Sequence, residues 1–592
     1  MSYHLNALPS TSKESPFISI LNKGLSAILF VWLCIILLWY FPNNGGHGLS
    51  MPHNSIAWGV AGLLIVLSTL MKSEAYSLPG VALSWSILLH TGALVWSLPL
   101  LWAPDAATQA DGLPHVAALW GFLLLLWTLR RLPARFQRLD TWLTIFWLAA
   151  VVQGLFGFLQ VTVLASDGGF VGNRPFGIFQ QVNLLASFMA TGLACLLFCF
   201  FRQRYTSRVY HALACFALIF ISFMLPLLQS RAGGIGSGLA VLLLTWQARR
   251  QGCPVRRIGL AWGLMVVSVL LALLWQSGAL NVLSPHSVSL PLPAQFDLRD
   301  TSGSTNERWR ILQNTWQMIR QHPLLGTGYG SFESAFAQTA LQHGQGIVGQ
   351  TLIHPHNELM YAWAEGGLVA LGGLLMMVVA VLLGLWRRGG LGWCGIALLL
   401  PLAVHMNLEY PLYQSAPHGI LLTLLLSLVL PAPQPVKSQR AQGKYGLSGV
   451  IRVALLGSAF MMMVYMAGAF QTQQTLTRIE RLDMAPLVQD ETATLGSLWN
   501  PYPFAGRIDY DQHIALLMRY NQHPDPQLLA RFSVWAKGYL THHNDRNVME
   551  SLLNIVHVMS PQDVPALCRH AHALWPHYPG FTCSSLHSDV NK

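Results

Sequence analysis

The chain has 592 residues, of which 53% are hydrophobic and only 10% charged, and its mean hydropathy is +0.44. This composition excludes an ordinary soluble protein, because many apolar runs reach the roughly 20 residues that a helix needs to cross a bilayer. The formal net charge of +11 does not require nucleic-acid binding, since basic cytoplasmic loops account for it. We therefore predict an all-α, polytopic membrane helix bundle with about 13 spans.

Thirteen apolar segments are predicted to cross the membrane. They lie near residues 24–41, 54–71, 78–102, 113–130, 141–163, 182–200, 209–229, 231–247, 258–276, 357–386, 391–408, 415–432 and 449–470. The first is predicted to be a retained helix, because no small-residue cleavage site follows it. The segments divide the chain into an N-terminal bundle of nine spans (1–276), a large polar loop (277–356), C-terminal spans (357–470) and a soluble helical domain (471–592).

Lysine and arginine residues are distributed unequally between alternate loops. With the N-terminus inside, the inner segments carry nineteen of them, whereas the short outer loops carry only Arg174 and Arg231. Basic residues concentrate in cytoplasmic loops. The loop over 277–356 and the tail are therefore predicted to lie on the outer face, which is the periplasm if the cell is Gram-negative. That location argues against nucleotide-dependent chemistry there.

The cysteines agree with this layout. Five lie in apolar spans, where a small buried hydrophobe is the default interpretation. Cys568 and Cys583 lie close together in the outer tail. An oxidising compartment would favour a disulfide between them. No cysteine spacing indicates a zinc site.

Two loops on the predicted outer face carry isolated arginines. Arg174 precedes Gln180, Gln181 and Asn183, whose side chains can face a shared cavity where the sixth span begins. The alternative is interfacial capping with a snorkelling arginine. Arg231 lies between two spans, where a charge is costly unless it meets an anion, a partner or water. The small residues after it permit close helix packing.

The large polar loop is predicted to contain an amphipathic helix. Ser304 and Glu307 have capping-box spacing. Apolar residues then recur at helical spacing: Trp309, Leu312, Trp316 and Ile319. Arg308 borders this stripe. We predict a lid helix whose basic edge faces lipid headgroups, with a generic surface helix as the alternative.

The loop ends on a cluster of polar side chains at the mouth of a membrane helix: His354, His356, Asn357 and Glu358. Pro355 favours extended backbone at the residue before it, and asparagine is a good helix N-cap. One interpretation is a capped helix with two interfacial histidines. The other is a site in which a histidine accepts a hydroxyl proton, while three arginines bind phosphate oxygens. That set suits transfer of a group from a diphosphate-linked lipid to a hydroxyl.

Ordered motifs in the chain resemble those of the O-antigen ligase/polymerase superfamily. They are Arg308 with the run 322–328, the run 354–359 with 365–368, the run 172–183 and the run 230–233. The Gln181-Val182-Asn183 signature, the run 409–413 and the outer tail most resemble bacterial protein O-oligosaccharyltransferases. Relatives that ligate O-antigen to lipid A–core, or that polymerise repeat units, share the motifs and usually lack such a tail.

This resemblance implies roles for particular residues. His356 would be the essential base or would position the acceptor, with His354 as second choice. The diphosphate would be bound by Arg174, Arg231 and Arg308. The substrate pocket would comprise Gln181, Asn183, Asn357 and Tyr410. Gln180 in place of Gln181, and Tyr413 in place of Tyr410, remain open. Neither a metal nor another cofactor is implied.

The resemblance implies transfer of a glycan en bloc from undecaprenyl diphosphate to Ser or Thr hydroxyls of exported proteins such as pilins. The alternative is an O-antigen ligase or polymerase that acts on a lipid-linked sugar acceptor. A polyprenyl-glycan transporter is the remaining hypothesis. Transporters place ionisable residues near the bilayer midplane, whereas those of this chain lie mostly at span ends and in outer loops.

Overall fold

The structure is a computed structural model that describes residues 16–71, 76–77, 80–132, 139–164, 174–202, 207–277, 301–347, 352–431, 434–435 and 449–582. Every one of the thirteen predicted spans contains a helix. These are α1 (Pro16–Cys34), α2 (Pro52–Leu70), α3 (Gly80–Ser97), α4 (Ala106–Arg130), α5 (Leu139–Val161), α6 (Val182–Arg202), α7 (Arg208–Leu227), α8 (Arg231–Arg250), α9 (Val255–Gln276), α12 (Glu358–Trp386), α13 (Gly390–Met406), α15 (Ala416–Val429) and α16 (Gly449–Arg481). The prediction of an all-α polytopic membrane protein is confirmed.

Nine of the described helices are long and apolar enough to cross a membrane. The shorter apolar helices are the first one, α13 and α15, and the four-residue α14 (Pro411–Gln414) lies between the last two. The eighth, α8, contains four glycines and three arginines, which lower its hydropathy. The predicted spans therefore exist as helices but are not equally long or equally apolar.

Helix α6 lies at the centre of the bundle, and its apolar segment is completely buried. Small residues let its neighbours approach closely. A Cβ atom at Gly192 would lie 2.2 Å from the Ala150 Cβ of α5, and one at Gly233 of α8 would lie 2.7 Å from the Ala186 Cβ of α6. The predicted close packing after Arg231 is therefore confirmed.

Two helices cover one end of the bundle: α10 (Thr301–Gln321) and α11 (Phe332–Gln342). Helix α10 begins at Thr301, so the predicted N-terminus at Ser304 is wrong. Within the predicted apolar stripe, Ile319 is buried, whereas Trp309 is 62% exposed and Trp316 45% exposed. The buried side also includes Ile311 and Met318. The predicted stripe therefore lies partly against the protein and partly on its surface.

Two glycine-rich runs pack backbone to backbone between α10 and α12. Residues 326–330 form an irregular turn, and Gly328 N–H donates to the Glu365 carbonyl over 2.7 Å. Gly367 interrupts α12 with a φ of +61°. A Cβ atom at this glycine would lie 2.2 Å from the Leu324 carbonyl oxygen. Only glycine fits that combination of positive φ and close approach.

The tail follows α16 directly and is helical as predicted. Its helices are α17 (Ala485–Gln489), α18 (Glu491–Gly496), α19 (Ala505–Gln522), α20 (Pro526–Tyr539), α21 (Arg546–Met559) and α22 (Val564–Leu574). Ile347 N–H donates to the Leu574 carbonyl over 2.8 Å, so the tail is joined to the loop. Cys568 is disulfide-bonded; its predicted partner, Cys583, lies outside the described residues. We call the end of the bundle covered by α10, α11 and the tail the capped end.

The opposite end of the bundle carries basic helix termini. Helices α4, α6 and α8 end there, with Arg130, Arg202 and Arg250 in their last turns. Cations interact favourably with helix C-termini. Two short strands, β1 (Tyr76–Ser77) and β2 (Gln434–Pro435), pair antiparallel in the register Tyr76 with Pro435.

Candidate active site

A buried carboxylate, Glu409, lies at the centre of the site, in the segment after α13. The side chain is 4% exposed. It accepts hydrogen bonds from the amides of Asn183 over 3.0 Å and Gln181 over 3.3 Å. It also forms an ion pair with Arg308, and one of its oxygens lies 3.4 Å from His356 Nδ1. Four predicted site residues from three separate parts of the chain therefore meet on one carboxylate.

The surroundings keep Glu409 anionic. Burial by itself would raise the pKa of this carboxyl, but the hydrogen bond of His356 and the charge of Arg308 outweigh it and hold the pKa below its ordinary value. A buried carboxylate is stable only when it is paired and hydrogen-bonded. The arrangement thus combines one permanent cation, one anion and one imidazole.

The two histidines occupy different environments because of the backbone between them. His356 has a φ of +62°, in the left-handed region, and its N–H donates to His354 Nδ1 over 2.9 Å. His354 therefore carries its proton on Nε2, which lies 3.6 Å from a Glu358 oxygen. Burial lowers the pKa of His354 below its ordinary value. The structure makes His354 a buried neutral group and directs His356 towards Glu409.

Tyrosines surround the histidine pair. The Tyr410 ring lies 4.8 Å from the His354 ring and 5.3 Å from the His356 ring, measured between centroids. The Tyr413 hydroxyl instead donates to Glu358 over 2.7 Å. Of the two tyrosines that the sequence left open, the structure thus places Tyr410 against both histidines and Tyr413 on the His354 side.

Asn357, a predicted pocket residue, has local structural partners, and Gln180, the alternative to Gln181, ends a neighbouring turn. Asn357 caps α12 by accepting from Met360 N–H over 2.9 Å, as its sequence position predicted, and its NH2 group donates to the Asn407 carbonyl over 3.1 Å. Gln180 has a φ of +56° and ends a short helical turn. The neighbouring residue, Gln181, is the one that reaches Glu409.

Arg174 and Arg231 lie at the capped end, where backbone contacts of their own segments hold them. The backbone N–H groups of Phe176 and Gly177 donate to Gln160 on α5, which anchors the segment after Arg174. Arg231 is the first residue of α8, whose Ser230 cap accepts from Gly233 N–H over 3.2 Å. Since Gly233 packs on Ala186, Arg231 lies beside the first turns of α6, the helix that carries Asn183.

Three family models match the chain. The model described as O-Antigen ligase matches residues 216–375, and the one described as Virulence factor membrane-bound polymerase, C-terminal, matches 393–552. The one described as Protein glycosylation ligase matches 175–199. The chain belongs to the O-antigen ligase superfamily. Together the matches cover more than half of the chain, and no curated protein matches it.

Membership of the O-antigen ligase superfamily makes this multi-pass membrane protein a glycosyltransferase-like enzyme. The matched regions contain Gln181 and Asn183 (175–199), Arg308 and both histidines (216–375) and Glu409 (393–552). Among the described residues, no group of three His, Cys, Asp or Glu side chains is placed to hold a metal ion.

The sequence did not identify Glu409 as a site residue of this superfamily member. It is the only acidic residue between Glu365 and the tail. A lone carboxylate at the end of a span needs a partner, and that rule could have singled it out. It could not have named the partners, because they come from α6, α10 and the segment before α12.

Proposed function

We propose that this superfamily member is a protein O-oligosaccharyltransferase. It transfers a glycan en bloc from undecaprenyl diphosphate to Ser or Thr hydroxyls of exported proteins such as pilins, at the periplasmic face of the inner membrane. The observation that carries the proposal is the match of residues 175–199 to the protein glycosylation ligase model. That segment supplies Gln181 and Asn183, which join Arg308 and His356 on the Glu409 carboxylate.

In the proposed reaction, the acceptor hydroxyl oxygen attacks the anomeric carbon of the first sugar. A carbon–oxygen bond forms there as the bond from that carbon to the diphosphate breaks. His356 accepts the hydroxyl proton, and Glu409 positions its ring, since His356 Nδ1 faces the carboxylate. The Nε2 edge is then the one that meets the acceptor.

Arg308 would stabilise the departing diphosphate, together with Arg174 and Arg231. A guanidinium has five N–H donors in a planar fork. Glu409 engages Arg308 through its Nη2, which leaves the other edge of the fork to bind phosphate oxygens. The donor's charge is thus met by permanent cations, and no residue must change its protonation state to bind it.

An O-antigen ligase or polymerase is the second candidate, because models with those descriptions match 216–375 and 393–552. Such an enzyme would bind the lipid-diphosphate donor with the same arginines and would use the same base, His356. The acceptor would be a sugar hydroxyl of a lipid-linked glycan. The two candidates therefore differ only in what reaches the Nε2 edge of His356.

The test has two parts. Mass spectrometry of exported proteins from strains with and without the gene identifies glycosylated Ser or Thr residues and hence the acceptor protein. The purified enzyme is then given lipid-diphosphate glycan and that acceptor in detergent, with His356→Ala as the matched control. We expect glycosylated protein from the wild type alone. Product only on a lipid-linked sugar would favour the second candidate, and absence of any product without a membrane gradient would favour a transporter.

A further inference from the structure

A cleft of about 330 Å³ opens between the tail and the start of α4. Ala107 of α4 forms one wall, and Trp535, Tyr539, His542 and His543 form the other. The cleft therefore lies where the tail meets the membrane bundle.

Polar contacts beside this cleft fix the tail in place. His543 Nδ1 lies 3.1 Å from a Glu333 oxygen, and Asn544 N–H donates to the same carboxylate over 2.7 Å. His542 Nδ1 lies 3.8 Å from an Asp105 oxygen. Glu333 belongs to α11 and Asp105 caps α4. Polar contacts to α11 of the loop and to the start of α4 in the bundle therefore fix the tail wall of the cleft.

One face of α4 leads from the cleft towards the histidines. Ala107, Asp111 and His115 are spaced four residues apart, which places them on the same side of the helix. The two ends of that row are about 12 Å apart. The His115 ring lies 4.6 Å from Tyr413, and the Tyr413 ring lies 5.4 Å from His354. The row therefore ends at the aromatic side chains around the proposed site.

This path is acidic. Asp111 is exposed, and the side chains of Asp105 and Asp509 are 45% and 54% exposed. Such charges repel a diphosphate, whereas the arginines assigned to the donor belong to other elements. The donor and the acceptor would thus approach from different sides.

We propose that this path, named here the acceptor groove, binds an extended, neutral or basic segment of the acceptor protein. The groove spans about 12 Å from Ala107 to His115, which is the length of about four extended residues. The segment would enter between α20 and α4, and the residues that follow it beyond His115 would carry the acceptor hydroxyl towards His356. This inference rests on the proposed protein acceptor and adds where that acceptor binds and what charge it carries.

The first experiment measures KM for the acceptor protein identified by mass spectrometry. Asp111→Lys should raise that KM by about three- to tenfold, the effect of a reversed exposed charge. The kcat and the donor KM should not change, and Asp111→Asn should have a smaller effect. Asp563→Lys makes the same charge change at an exposed position outside the groove and should leave every constant unchanged. An unaltered acceptor KM in Asp111→Lys would contradict the proposal that the acceptor protein binds in this groove.

The second experiment places a photo-crosslinking residue at Val534, which lines the cleft and is 75% exposed. Irradiation of the full-length enzyme should capture the acceptor protein. Capture of the lipid-linked donor, or no acceptor capture in an enzyme of normal activity, would reject the proposed occupant. If the wild-type enzyme transfers no glycan to any protein, the proposed function itself is wrong. If the wild-type enzyme is active and Asp111→Lys leaves the acceptor KM unchanged, only the acceptor groove is wrong.

Discussion

The Arg308 guanidinium forms an ion pair with the Glu409 carboxylate, 101 residues further along the chain. It connects a helix of the polar loop to the segment after α13. Because Gln181, Asn183 and His356 approach the same carboxylate, the pair makes the loop part of the site. The sequence predicted Arg308 both on a basic edge that faces lipid headgroups and among the residues that bind the diphosphate; in the structure it pairs with Glu409.

His356→Ala is expected to reduce the transfer rate by roughly 10²–10⁴, the usual contribution of a positioned general base. Donor binding should persist, because the arginines bind the diphosphate. His354→Ala should have a milder effect, since the His354 ring is buried among tyrosines. The measurement is the initial rate at saturating donor. A near-normal rate for His356→Ala would move the base assignment to His354 or Glu358.

Glu409→Gln keeps the side-chain shape but removes the charge that faces Arg308 and His356. We expect the rate to fall roughly 10²-fold or more, because an orienting carboxylate is worth up to about 10⁴ in rate. Glu307→Gln removes an exposed carboxylate at the residue directly before Arg308 and should leave the rate unchanged. Equal rates and equal thermal stabilities for the two variants would show that Glu409 does not position the site.

Arg231→Ala should strongly reduce transfer without loss of expression, because the diphosphate would lose charge-assisted hydrogen bonds. Arg231→Lys should restore only part of the activity, since an ammonium cannot present a planar fork. Arg250→Ala, at the other end of α8, is the control. Wild-type turnover in Arg231→Ala would remove this arginine from the donor site.

The predicted orientation can be tested with reporters that are active only outside the cytoplasm. Fusions after Ala340 in α11 and after Val488 in α17 should be active, because both positions belong to the capped end. A fusion after Arg250, at the opposite end of α8, should be inactive. Activity of only a cytoplasmic reporter at Ala340 or Val488 would contradict the orientation.

The buried carboxyl of Asp511 in α19 should make the stability of the tail depend on pH. Burial and the nearby Glu480 carboxylate raise its pKa to about 8. The folded chain then binds a proton that the unfolded chain releases at its ordinary pKa, so stability should fall as pH rises from about 4 to about 8. Asp511→Asn cannot ionise and should lose this dependence.

Thermal unfolding of the full chain in detergent between about pH 5 and about pH 8 measures the effect. Asp563→Asn, at an exposed position, serves as the control and should unfold like the wild type. Identical pH dependence in Asp511→Asn and the wild type would show that Asp511 is ionised in the folded tail.

The sequence alone determined the membrane helices, because a bilayer imposes a length and polarity that twenty consecutive residues reveal. It also indicated the Asn357 cap, which depends on local backbone preferences. The arginines and histidines were found because charged groups are rare in such a chain and need a partner.

Only the tertiary structure decided which face of α10 is buried and which side chains meet. The spacing of Trp309, Leu312, Trp316 and Ile319 predicted an amphipathic helix, but in a membrane protein apolar side chains also face lipid, so apolar spacing does not distinguish core from surface. Glu409 joins α6, α10 and the segment before α12. No local rule connects residues so far apart in the chain, because their contact depends on how the helices pack.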